Sequence, residues 1–297
     1  MPKNPVGHWN SASGYDDYRS KYDAAMRDVP APAAVHDIRT EFGLVRGYRF
    51  AGAQGNRHPL VLLPGTSSGT PVWADNLKSL LAITDVYAID LLGEPGMSIQ
   101  SKPITSDADK AAWLDQTLAA LPEKRFNLLG LSIGGWTAMN LAVRRPDRIA
   151  TVTTLDAVFV YDGLPLEVVV RSLPATVKWL PRSWRDSFNS YTAGGKPVEH
   201  MPVADMIESG MKNYTMRQPQ PHRITEEQLA DLPMPVLAII AGRSVMHDPA
   251  KARSTAERAL RTKTVAFYPD ASHAVNGEYP DRIASDLRGF LDTHDTP

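Results

Sequence analysis

The sequence contains no cysteine in its 297 residues. Disulfide bonds, thiolate nucleophiles and cysteine-bound zinc are therefore excluded. An excess of charge of either sign is also missing, because 32 Lys and Arg residues stand against 33 Asp and Glu residues, for a net charge of -1. A chain with so little net charge has no bulk field that attracts nucleic acid or anionic lipid, so we expect neither as a partner.

Long apolar runs are missing as well. No run approaches the about 18 residues that a membrane helix needs, and the segment MPKNPVGHWN has no apolar core of a secretory signal. We therefore expect a cytoplasmic protein that does not associate with membranes. The sequence has no GxGxxG fingerprint and no His/Asp/Glu cluster with metal-ligand spacing, so no cofactor and no metal are expected.

What the sequence does contain is a series of short apolar runs separated by amphipathic segments. A hairpin around Gly43 is predicted before them. Such alternation is typical of the α/β class and predicts a mostly parallel, doubly wound sheet with helices on both faces. The predicted buried strands cover residues 58–65, 85–91, 126–132, 149–158, 235–242 and 264–270.

The alternation breaks once, over residues 160–232, which are rich in Pro, Trp, Tyr and Met. We interpret this stretch as a helical cap inserted over the carboxyl ends of the strands, where open α/β sheets bind ligands. The core is then formed by residues 35–159 and 233–297. Residues 1–34 are predicted to form an N-terminal arm with one helix.

The motif Gly130-Leu131-Ser132-Ile133-Gly134 lies between an apolar run and a helical segment. This is the pattern of a nucleophile elbow, in which a strained turn lifts the serine hydroxyl off the sheet. The flanking positions must be very small, because strand and helix backbones pass close together there. The helix that follows also offers backbone N–H groups to a developing oxyanion. Ser132 is therefore the candidate nucleophile.

A serine hydroxyl is a weak nucleophile until a base takes its proton. Among eight histidines, His273 follows the last predicted strand directly and precedes the last helix, in YPDASHAVNGEYP. That loop is expected to open at the same edge of the sheet as Ser132. His273 is therefore the predicted base.

At this point the chain resembles the α/β-hydrolase fold over nearly its full length, and it is most similar to the carboxylesterases related to naproxen esterase. The resemblance is carried by LVLLPGTSSGTPVW, DVYAIDLLGEPGMS, LLGLSIGGWTAMNLAVRRPDRI and YPDASHAVNGEYP, while RQPQP and MHDP point to the subfamily. It implies Ser-His-acid chemistry beneath a helical cap. It does not fix the substrate, because one fold hosts many functions.

The chain departs from this family at the loop that carries the first oxyanion donor. The preceding strand usually ends in His-Gly, whereas here it ends in Pro64-Gly65. The donor is a backbone N–H group, so this change does not by itself remove the oxyanion hole. Thr66 and Ile133 are the predicted donors.

The second departure concerns the triad acid. The resemblance places it in the loop after residues 235–242, but that position holds Ser244 or Val245. One candidate is Asp156, at the end of the preceding core strand, where certain haloalkane dehalogenases carry their acid. The other is Asp248, whose alternative interpretation is a helix cap. We favour Asp156, since its strand is expected to neighbour that of the nucleophile.

Together these features predict a serine hydrolase that cleaves a carboxylic ester or related acyl bond of a small, apolar substrate through Ser132, His273 and Asp156. Two other functions stay open at this stage. The same triad could serve a non-hydrolytic acyl transfer or biosynthetic step, and the chain could be a ligand-binding protein on a hydrolase fold. A homodimer is left open as well.

Overall fold

The structure is a computed structural model that describes residues 5–53, 57–168 and 201–295, together with residues 170, 183, 187, 190–192, 194 and 195. Most of the predicted cap lies outside these residues. In the first part of the predicted cap, residues 166–168 are helical.

The strands follow the predicted apolar runs closely. In the described part of the chain, nine of them form one sheet in the order β11-β10-β8-β7-β4-β5-β3-β2, with β6 beside β3, while β1 pairs with β9. The strands are β1 (His8–Trp9), β2 (Ala34–Thr40), β3 (Gly43–Phe50), β4 (Leu60–Leu63), β5 (Val86–Ile89), β6 (Ile99–Gln100), β7 (Phe126–Leu131), β8 (Ile149–Leu155), β9 (Tyr214–Thr215), β10 (Val236–Ala241) and β11 (Lys263–Tyr268).

In the described part of the chain, strands β5, β4, β7, β8, β10 and β11 pair in parallel. The antiparallel pairs in the described part of this sheet all involve β3, which pairs with β2, β5 and β6. The predicted mostly parallel sheet is thereby confirmed. Its order brings β4, β7 and β8 side by side, with β10 and β11 next to them. Since these strands run in one direction, the loops after all five open at one edge.

Four of the helices in the described part of the chain begin at a residue whose side chain caps them. Ser106 caps α3 with a reciprocal capping box to Asp109, and Thr225 does the same for α6 with Gln228. The helices are α1 (Ala12–Ala25), α2 (Ala74–Leu81), α3 (Asp107–Ala119), α4 (Ile133–Arg144), α5 (Pro202–Asn213), α6 (Glu226–Ala230), α7 (Pro249–Ala259), α8 (Val275–Glu278) and α9 (Pro280–His294).

Two apolar layers cover the two faces of the sheet. One contains Leu114 of α3 and Ala256 of α7, and the other contains Leu80 of α2 and Leu287 of α9. Every residue of β4 and β7 is buried, as continuous apolar strands between two layers of helices require. Each fully buried Leu or Ile contributes about 1.5–3 kcal/mol, so the sheet is a rigid base for the loops at its edge.

The N-terminal segment packs against the segment that follows the undescribed part of the chain. Helix α1 lies on α5, where Ser209 Oγ donates to Asp17 Oδ2 at 2.5 Å. The ring of Trp9 packs edge-on against Tyr214, and β1 pairs with β9 at the same place. Residues predicted as an arm therefore hold part of the predicted cap.

The two glycines of the elbow are required because neither position has room for a side chain. A Cβ added to Gly130 would lie 2.2 Å from the carbonyl oxygen of Gly134, and one added to Gly134 would lie 2.0 Å from that of Leu63. Both neighbours are backbone atoms that cannot move aside. Helix α4 can therefore approach β4 and β7 only without side chains at these two positions.

We expect Gly134→Ala to destabilise the fold by at least about 3 kcal/mol, because the new methyl group collides with backbone. Gly289→Ala is the matched control: it also lies in a helix, but the added Cβ meets nothing within 4 Å. It should stabilise by up to about 1 kcal/mol. Urea unfolding of both variants checks this, and an unchanged midpoint for Gly134→Ala would contradict the close packing of the elbow.

Candidate active site

Ser132 occupies the turn between β7 and α4 with φ 53° and ψ -116°. Positive φ is costly for any residue with a Cβ, and such strain concentrates at functional sites. The turn is held because the N–H group of Ser132 donates to the carbonyl oxygen of Leu155 at 2.9 Å, which ties it to the neighbouring strand β8. The side chain faces a cavity at the carboxyl edge of the sheet.

His273 lies between β11 and α8 and joins the other two predicted residues. Its Nε2 is 2.9 Å from Ser132 Oγ, and its Nδ1 is 2.6 Å from Asp156 Oδ2. The structure thus brings together the three side chains that the sequence proposed as catalytic. In this arrangement an imidazole can take the proton of the hydroxyl, while a carboxylate fixes the ring tautomer and stabilises the imidazolium.

Asp156, directly after β8, is fully buried and accepts four hydrogen bonds. Its Oδ1 accepts from the backbone N–H of Ala241 at 3.1 Å and lies 2.8 Å from His247 Nε2. Its Oδ2 accepts from Ser244 Oγ at 2.6 Å and lies 2.6 Å from His273 Nδ1. Two oxygens offer about four lone-pair positions, so every one has a partner.

These contacts keep the carboxylate charged in spite of its burial. Burial alone would raise the pKa of Asp156. The imidazoles of His247 and His273 outweigh this effect and hold the pKa well below its ordinary value. For His247 the balance runs the other way: burial lowers its pKa, and the carboxylate of Asp156 raises it above the ordinary value. An ionised acid is thus held between two imidazoles.

Asp248, the alternative candidate for the triad acid, is a helix cap instead, as its other interpretation predicts. Its Oδ1 accepts from the N–H groups of Ala250 at 3.0 Å and Lys251 at 3.1 Å, which caps α7. Ser244, at the position where the resemblance places the acid, donates to Asp156 instead. The loop after β10 therefore supplies hydrogen-bond donors to an acid that β8 carries.

The predicted oxyanion donors lie beside the nucleophile. Ile133 is the first residue of α4, where a helix leaves its N–H groups without an internal partner. Thr66 follows Gly65, whose added Cβ would come within 3.7 Å of Ser132 Cβ. Thr66 and Ile133 both line the cavity that contains Ser132. Their role as oxyanion donors stays a prediction.

The cavity has a volume of about 440 Å³. Its wall is largely apolar, with polar groups at only a few places. Apolar side chains that line it include Leu91, Trp113, Trp136, Val158, Phe159 and Met246. Met216, Gln218 and Pro221, from the predicted cap, close one side. A small, mostly apolar molecule fits such a space.

Sequence reasoning missed four residues around this site: Ser244 and His247 at the acid, and Glu94 and Lys110 in the cavity wall. His247 stands in the MHDP stretch, in which only Asp248 was considered for a role in the site. A histidine near a loop that lacks its expected acid was a usable signal. Glu94 and Lys110 carried none, because charged residues in a loop and a helix are normally solvated.

Two features are absent from the described residues. These residues contain no group of three or more His, Asp or Glu side chains that could hold a metal ion. Within the same residues, no helix combines the length and the apolar character needed to cross a membrane.

Comparison with known proteins gives a consistent result. The sequence profile of the alpha/beta hydrolase family matches residues 60–286. A Bacillus subtilis (strain 168) protein named "Uncharacterized carboxylesterase nap" is 22% identical over 281 residues, which cover 92% of each chain. The crystal structure of naproxen esterase from Bacillus subtilis aligns with a TM-score of 0.86 at 21% identity, over 95% of this chain and 99% of the other.

A second solved structure aligns with this chain about equally well. Carboxylesterase CesB (YbfK) from Bacillus subtilis aligns with a TM-score of 0.86 at 20% identity, over 94% of this chain and 99% of that one. The family resemblance drawn from the sequence is confirmed. At such low identity the two structures establish the shared fold, and the chemistry must be argued from the residues of this chain.

We expect Asp156→Asn to lower kcat by about 10⁴-fold, because an amide neither carries the charge nor fixes the productive tautomer of His273. Asp248→Asn should leave kcat within about twofold of wild type, since Asn is as good a helix cap as Asp. Steady-state kinetics on a p-nitrophenyl ester compare the two variants. A large loss in Asp248→Asn with little loss in Asp156→Asn would assign the acid to the other loop.

His247 gives a subtler prediction. His247→Leu removes one hydrogen bond to a charged group and should lower kcat roughly tenfold while KM stays nearly constant. His247→Gln keeps an N–H donor near the position of Nε2 and should recover most of that loss. Gln cannot become a cation, so the nearby base would be protonated more easily in this variant than beside a charged His247. The acidic limb of the kcat/KM profile should therefore move to higher pH. A profile that does not move, with kcat unchanged in both variants, would show that His247 only fills space.

Proposed function

Because the chain belongs to the alpha/beta hydrolase family, we propose that it is a serine hydrolase that cleaves carboxylic esters of small molecules. The single observation that carries this proposal is the continuous hydrogen-bonded series Ser132–His273–Asp156, at 2.9 and 2.6 Å. The carboxylesterase names of its relatives support the same chemistry.

In this proposal Ser132 Oγ attacks the ester carbonyl while His273 Nε2 takes its proton. Asp156 stabilises the imidazolium, and the N–H groups of Thr66 and Ile133 stabilise the oxyanion. The protonated imidazole then gives its proton to the leaving alcohol, which leaves an acyl group on the serine. Water, activated by the same imidazole, releases the acid and restores the enzyme.

The walls of the cavity support a limit on substrate size. A volume of about 440 Å³ lies at the small end of ligand pockets. In the proposal the segment 160–232 acts as the cap, since Met216 and Gln218 from its C-terminal part line the same cavity as Ser132. A cap that excludes water would strengthen the electrostatic interactions around the oxyanion.

We expect Ser132→Ala to abolish hydrolysis of p-nitrophenyl butyrate without loss of folding, because no other group replaces the nucleophile. The matched control is Ser254→Ala, an exposed serine on α7, which should keep wild-type activity. A fluorophosphonate probe should label the wild type and the control but not Ser132→Ala.

The same probe separates the competing functions. A wild-type protein that is not labelled and does not turn over any ester would favour a ligand-binding protein on this fold. Residual activity near wild type in Ser132→Ala would refute the assignment of the nucleophile.

A further inference from the structure

One side chain in the cavity wall is poorly satisfied. Glu94, in the loop after β5, is only 8% exposed and lines the same cavity as Ser132. Its Oε2 accepts from the backbone N–H of Ser67 at 3.1 Å. Within the described part of the chain, its other oxygen has no hydrogen-bond donor. The carboxyl group is thus half-paired in a cavity whose walls are mostly apolar.

That environment is costly for a carboxylate. Burial raises the pKa of Glu94 to about 7, although the N–H of Ser67 and the ammonium of Lys110 lower it in part. A buried polar group without a hydrogen-bond partner costs free energy, and a charged group costs more. A ligand that donates a hydrogen bond to Glu94 would recover this free energy, whereas an entirely apolar ligand would also strip away the water that solvates it.

A cation lines the same cavity. Lys110 of α3 is 6% exposed, and its Nζ donates to the carbonyl oxygen of Pro219 at 2.7 Å. The same atom lies 3.7 Å from Asp107 Oδ1 and 4.9 Å above the ring of Trp136. An ammonium group carries three donors, and these contacts use only one in a hydrogen bond. The cavity therefore offers both a carboxyl acceptor and an ammonium donor.

We propose that the cavity binds esters whose acyl or alcohol part carries a hydroxyl group, which Glu94 and Lys110 recognise. A hydroxyl both donates and accepts hydrogen bonds, so it can pair with a carboxyl group and with an ammonium group. A charged group on the substrate would instead be attracted by one of the two side chains and repelled by the other. This inference rests on the proposed ester hydrolysis and makes Glu94 a specificity-determining residue.

A purely structural role for Glu94 makes a different prediction. Through Ser67, Glu94 also holds the loop that carries Thr66, a predicted oxyanion donor. If that were its only task, its replacement would slow all esters equally. The ratio of kcat/KM between a hydroxylated ester and its isostere cancels such a common effect, so the ratio reports recognition alone.

The test uses three isosteric pairs, each differing by a hydroxyl in place of a methyl group. They are p-nitrophenyl 3-hydroxybutyrate against 3-methylbutyrate, p-nitrophenyl 6-hydroxyhexanoate against heptanoate, and 2-hydroxyethyl butyrate against propyl butyrate. The wild type should prefer the hydroxylated member of at least one pair by about 10-fold or more, as expected for a hydrogen bond to a charged group.

Two variants and a control complete the experiment. Glu94→Leu should bring that ratio close to one. Glu94→Gln keeps an acceptor for the N–H of Ser67 and should also lower the ratio clearly. The control is Glu123→Gln. The carboxyl group of Glu123 contacts Tyr87 outside the cavity, so this variant should keep the wild-type preference.

No preference in any pair, or a preference that survives both Glu94 variants, would overturn the proposal. Failure of ester hydrolysis itself would appear separately, as no turnover of the unsubstituted esters by wild type.

Discussion

The buried carboxylate of Asp156 is the constraint on which the catalytic edge depends. A carboxylate with no exposed surface is stable only when its lone pairs are filled, because an uncompensated buried charge costs several kcal/mol. Here the donors come from the end of β10, the loop after it and the loop after β11. One side chain therefore fixes the relative positions of three chain segments. The imidazole of His273 is held at the serine as a consequence of this arrangement.

The turn that carries Ser132, the proposed nucleophile, depends on a second constraint, which is steric. Ser132 stays at positive φ because α4 is pressed onto β4 and β7 through Gly130 and Gly134. Its N–H group bonds to Leu155, the residue before Asp156. The strained serine and the buried acid are thus attached to the same strand end. Strain at one residue and burial of charge at the other are both supported by the rigid packing of the sheet.

Local patterns were sufficient to predict much of this arrangement. Apolar runs and their caps predicted the strands and helices, and the elbow motif and the histidine loop predicted which side chains would meet, since parallel strands end at one edge. The donors Ser244 and His247 were not predictable in this way, because they depend on how a loop folds over the neighbouring strand. The burial of Glu94 and Lys110 was not predictable for the same reason. No local sequence pattern distinguishes a charged residue in a cavity wall from a solvated one.

The position of the acid follows from the sheet order rather than from the motif. Strands β8 and β10 are paired in parallel, with Leu155 opposite Ile239, so β8 ends only two residues short of the end of β10. A carboxylate at either end can reach the same imidazole nitrogen, provided that the other end supplies donors. In this chain β8 carries the acid, and the loop after β10 carries a hydroxyl and an imidazole. The chemistry requires one negative charge at that point of the edge, and the fold allows either of two adjacent strands to provide it.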